Sequence, residues 1–66
     1  MATYDIFFHD AEDSNNLGFR LSLKEAHDYI EMWNGTDHSY FPDYKGGVVQ
    51  IVCNETEETV ATYDVK

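Results

Sequence analysis

The sequence predicts an α+β fold of order β-β-α-β-β, with one helix packed on a mostly antiparallel sheet of three to four strands. Three observations carry this expectation. Apolar side chains alternate along residues 3–9. The run Ser22-Leu23-Lys24-Glu25 is a capping box, and apolar residues recur at helical spacing behind it. Two segments rich in β-branched residues, 47–53 and 58–65, flank a polar turn.

In residues 3–9, Tyr4, Ile6 and Phe8 fall on one face of a strand, and Asp5, Phe7 and His9 on the other. Asp10-Ala11-Glu12-Asp13-Ser14-Asn15-Asn16 is polar and aperiodic, so a loop follows. Leu17, Phe19 and Leu21 alternate with Gly18 and Arg20, which predicts a short second strand returning against the first. The helix is expected over 23–34. The Ser22 hydroxyl can accept from the Glu25 amide while the Glu25 carboxylate reaches back to the Ser22 amide. Leu21 and Ala26 take the staple positions, and Leu23, Ala26, Ile30 and Trp33 form one apolar stripe. Gly35 suits a left-handed cap. Residues 36–46 read as a loop, and Lys45-Gly46-Gly47 as a bend, since it lacks the rest of a phosphate loop and precedes a strand. Residues 47–53 form an inner strand, 54–57 a turn, and 58–65 the last strand of a second hairpin.

Composition sets the functional bounds. There are 13 acidic and 4 basic side chains in 66 residues, a net charge of -9, together with an aromatic content of 15%. Such charge alone would point to disorder, but the aromatic rings supply the apolar area that a core requires, so 1–66 is read as one acidic domain. A domain of this size buries only about 60% of its unfolded surface, a deficit that a homodimer would relieve. Cys53 is the sole cysteine, and no basic-apolar leader or apolar run of ~20 residues occurs, so a cytoplasmic protein without a membrane span is expected. The charge disfavours direct binding to nucleic acid and to anionic lipid, and favours a basic protein partner. The sequon Asn54-Glu55-Thr56 has no secretory context to give it meaning.

Catalytic and metal chemistry find little support. Asp10, Glu12, Ser14 and Asn16 alternate as in a calcium loop, but Asn15 stands where glycine is required and Leu21 where the bidentate glutamate is required. His9, His27 and His38 lack zinc-ligand spacing. Cys53 shares a strand face with Val49 and Ile51 and is expected to be buried, and Ser22 is committed to the helix cap. No metal, cofactor or catalytic residue is therefore expected.

Two features suit an interface. Asp28 and Glu31 share a helix face, and Tyr40, Phe41, Asp43 and Tyr44 concentrate aromatic and acidic groups in one loop. The expectation is a non-enzymatic interaction module, an inhibitor or regulator of the kind phages and other mobile elements encode. Its acidic face would imitate DNA phosphates and dock on a nuclease or another nucleic-acid-binding protein through Asp28, Glu31, Tyr40, Phe41, Asp43 and Tyr44. The competing readings are a solvated surface, a core-closing role for the aromatic loop, a small-ligand or ion site in 36–46, and a self-associating structural protein.

Overall fold

The computed structural model describes residues 2–66. The strands are β1 (Tyr4–His9), β2 (Ser14–Leu21), β3 (Val48–Cys53) and β4 (Thr59–Asp64); the helix α1 spans Leu23–Trp33, and a 3-10 helix spans Phe41–Tyr44. They form one four-stranded sheet of order β2-β1-β3-β4, with every neighbouring pair antiparallel. Two hairpins thus lie side by side with β1 and β3 at the centre. The connection that carries α1 runs from an edge strand, past β1, to β3, and packs on one face of the sheet.

That face is the one the alternation marks as apolar. Ile6 sits opposite both Leu17 and Ile51, Ile51 opposite Ala61, and Phe8 and Tyr63 both opposite Val49. Against these rows α1 sets Ala26 and Ile30, and the 3-10 helix sets Phe41, all fully buried. Residue-by-residue pairing of side chains across strands is what makes a half-buried sheet cohere. The capping box forms: Ser22 Oγ accepts from the Glu25 N–H at 3.1 Å, and Glu25 Oε1 accepts from the Ser22 N–H at 2.9 Å. The helix ends at Trp33 rather than at 34. Asn34 is extended and spends its side chain on the chain terminus, donating to the Asp64 carbonyl at 2.8 Å and accepting from the Lys66 N–H at 3.0 Å. Gly35 then takes a φ of +88°, the left-handed value expected of it.

Three further features differ from the sequence expectation. β2 begins at Ser14, because Ser14, Asn15 and Asn16 pair with His9, Phe8 and Phe7 through backbone groups that any residue can supply. β2 also bulges. Leu17 faces Ile6 and Leu21 faces Tyr4, so Gly18, Phe19 and Arg20 together face Asp5 alone. Arg20 adopts a φ of +53° there, and Phe19 meets Tyr29 edge-on at 5.3 Å. Finally, the expected loop 36–46 contains the 3-10 helix, which opens with Pro42 in its first turn.

Candidate functional site

The aromatic loop is built around Phe8. Phe41 meets the Phe8 ring edge-on at 4.8 Å, Tyr44 stacks on it at 5.5 Å, and Tyr40 approaches at 6.0 Å. Phe41 is 0% exposed and Tyr44 4% exposed. These two rings, placed by the sequence reading at a partner surface, offer no area to a partner and close the end of the core instead. The physical reason is that a domain this small recruits every large apolar group nearby. Tyr40 is half-buried and Asp43 exposed, so only these two of the loop's candidate residues reach the surface.

The helix carboxylates are exposed and partly engaged. Asp28 pairs with Lys24 at 2.6 Å, one turn away. Glu31 Oε2 lies 3.4 Å from the Tyr63 hydroxyl, which also meets His27 Nδ1. Burial, then the negative charge of Glu31, pushes the Tyr63 hydroxyl above its ordinary value. No hydrogen bond or salt bridge among the described residues joins Asp28 or Glu31 to the 3-10 helix. Lys24–Asp28 is the only salt bridge among the described residues, and no carboxylate lies within 4.0 Å of the Arg20 guanidinium there.

The remaining candidates are explained by local structure. Asp10 Oδ1 accepts from the Glu12 and Asp13 N–H groups, both at 2.8 Å, so the loop of alternating oxygens is a hairpin turn stabilised by its first aspartate. Among the described residues no three His, Cys, Asp or Glu side chains converge as metal ligands. Cys53 is buried, and its thiol is held below the ordinary value by the Thr56 hydroxyl and by the Thr56 and Glu55 backbone N–H groups. No helix among the described residues is long and apolar enough to cross a membrane.

On the face of the sheet turned away from α1 lies a cleft of about 340 Å³, walled by Asp5, Phe7, Gln50, Val52, Asn54 and Glu57 among others. Asn16 of β2 and the β3–β4 turn contribute to its rim. Asp5 stands on a central strand and is only 8% exposed. Its Oδ1 accepts from the Arg20 N–H and from Asn54 Nδ2, each at 3.1 Å. Alternation put Asp5 and Phe7 on the strand face opposite Tyr4, Ile6 and Phe8 but did not single them out. The available signal was a carboxylate in the middle of an otherwise apolar and aromatic strand. No family model, curated protein or solved structure matches this chain.

Proposed function

We propose that this chain is a non-enzymatic acidic interaction module that docks on a basic surface of a nucleic-acid-binding protein and thereby inhibits or regulates it. The observation that supports this reading is the charge balance within the fold: 13 carboxylates, with Lys24–Asp28 as the one salt bridge among the described residues. A folded domain that leaves so much negative charge uncompensated presents a field that steers and orients a cationic partner. Asp28, Glu31 and Asp43 are exposed acids offered to it from α1 and the 3-10 helix, with Tyr40 at the margin. Asp28 would exchange Lys24 for a partner cation at small cost, since the pair is exposed to solvent and screened by it.

The small-ligand reading of 36–46 has less to rest on, because Phe41 and Tyr44 are packed inside. Edge-to-edge self-association is opposed by bulges in both edge strands, at Gly18–Arg20 in β2 and at Val60 in β4.

The test is affinity capture on the tagged protein at ~0.05 M salt, where charges act over more than 10 Å, followed by elution in rising salt. A nucleic-acid-binding protein released by salt, and retained poorly by the double variant Asp28→Lys, Glu31→Lys, is the expected result. Retention that is indifferent to both salt and charge reversal would sink the electrostatic reading.

A further inference from the structure

We infer that the cleft on the open sheet face seats an arginine side chain of the protein on which this chain docks. The inference rests on the acidic docking reading and assigns it a pocket that the exposed acids of α1 do not supply.

Hydrogen-bond capacity in the cleft is lopsided. Asp5 Oδ1 is occupied by two donors, whereas Oδ2 accepts from no group among the described residues. It is also not sealed away, since the only fully buried side-chain polar atom lacking a partner among the described residues is the Tyr29 hydroxyl. Gln50 gives its Nε2 to Thr62 Oγ1 at 3.4 Å, and Asn54 gives its Nδ2 to Thr3 Oγ1 at 2.9 Å and to Asp5. Asn54 thus spends both amide donors on the fold and Gln50 one of its two, and the carbonyl oxygen of each accepts from no group among the described residues. Glu57 adds a second carboxylate to the wall, and no lysine or arginine lines the cleft. The site is a set of acceptors around a carboxylate that is more than nine-tenths buried. A carboxylate so placed, with one oxygen unmatched by the fold and reachable from the cleft, is available to an incoming donor.

The occupant that fits is a cation carrying only donors. A guanidinium has five N–H donors in a planar fork and no acceptor, and it stacks on aromatic faces. Phe7 supplies an aromatic wall beside Asp5. An ammonium would satisfy the charge but, as a compact point charge, not the spread of acceptors. At about 340 Å³ the cleft has room for a guanidinium-bearing side chain. Phosphates and carboxylates are excluded by like charge.

The test uses the ¹⁵N-labelled protein and a blocked pentapeptide with a central arginine between two glycines and terminal lysines. A second peptide carries citrulline, the neutral isostere, at the centre. The expected result is amide shifts concentrated at Asp5, Phe7, Gln50 and Glu57, with binding at least about tenfold weaker for the citrulline peptide and for Asp5→Asn. The asparagine keeps an oxygen for the Arg20 N–H and for Asn54, so the fold should survive; the citrulline comparison, made on the unaltered protein, and Glu57→Gln stand if it does not. Shifts confined to α1 and residues 10–13, or equal binding of the two peptides, would overturn the cleft while leaving acidic docking in place. Binding of neither peptide would also overturn it. Arginine bound in the cleft with no salt-released partner on capture would instead remove the docking reading and leave a guanidinium site.

Discussion

Three tyrosines near the core use their hydroxyls differently, and this decides what each contributes. The Tyr63 hydroxyl meets His27 and Glu31, and that of Tyr44 donates to Asp13 Oδ2 at 3.3 Å. Both are pushed above the ordinary value of 10.0, in each case first by burial and then by a neighbouring carboxylate. A raised folded-state value means that the unfolded chain ionises first. The contribution of these hydroxyls is whole below about pH 10 and is lost as pH rises through the folded-state values. Urea midpoints measured from pH 8 to 11 should therefore fall less steeply for Tyr63→Phe than for the unaltered protein; parallel declines would contradict this. The Tyr29 hydroxyl is the contrary case, buried without a hydrogen-bond partner among the described residues. Its ring packs against Phe19, His38 and Phe41, and Phe keeps that packing. Tyr29→Phe should raise the stability by about 1 kcal/mol in chemical denaturation, and a loss of similar size would show that the hydroxyl is satisfied in solution.

Among the elements, α1 depends on its first turn. It has no basic residue in its last turn to complement the macrodipole, so the Ser22–Glu25 box carries the capping. Ser22→Ala should cost about 1 kcal/mol and lower Tm by roughly 4–8 °C, readable by circular dichroism. The Glu25 carboxyl is held below its ordinary value of 4.5, chiefly by the Ser22 backbone N–H. Its contribution is present above that value and fades as pH falls through the folded-state one, so the penalty of Glu25→Gln should shrink in acid. The entry to β3 depends on a close approach rather than on a dihedral angle. A Cβ on Gly47 would lie 2.5 Å from the His9 carbonyl oxygen and 2.9 Å from Asp10 Cβ. Backbone cannot yield there as a flexible side chain would, so Gly47→Ala should destabilise by roughly 1–3 kcal/mol, while Gly18, with open space around it, should tolerate alanine far better. Equal midpoints for the two variants would refute the close approach.

At the scale of the whole molecule, a net charge of -9 is confined within principal extents of 31 × 24 × 16 Å. Self-repulsion on that scale destabilises the compact state, and salt shortens its reach from about 10 Å at 0.1 M to about 3 Å at 1 M. Tm should accordingly rise by a few degrees between ~0.02 and ~0.5 M sodium chloride, measured by scanning calorimetry. Partner binding should move the opposite way over the same range. A protein that grows more stable while it binds less tightly would separate the two roles of one charge distribution. A Tm that falls with salt would mean that attractive pairs dominate the fold.

Much of the architecture was legible because it rests on local pattern. Alternation at Tyr4, Ile6 and Phe8 marked the inner face of β1, the capping box marked the start of α1, and Gly35 marked its end. Period and capping act within a few residues, so the chain carries them in order. The bulge opposite Asp5, the burial of Phe41 and Tyr44, and the cleft bounded by Phe7, Gln50 and Asn54 were not legible. Each arises where residues far apart in the chain meet: Asp5 joins Arg20 and Asn54, and Phe8 gathers the rings of the 3-10 helix. By itself the sequence determined the α+β class, the element order and the acidic character, since these follow from composition and short-range periodicity. Only the tertiary structure decided the strand order, which aromatic rings the core consumes, and where a nine-tenths buried carboxylate keeps an oxygen free, because those depend on register between strands that no local pattern encodes.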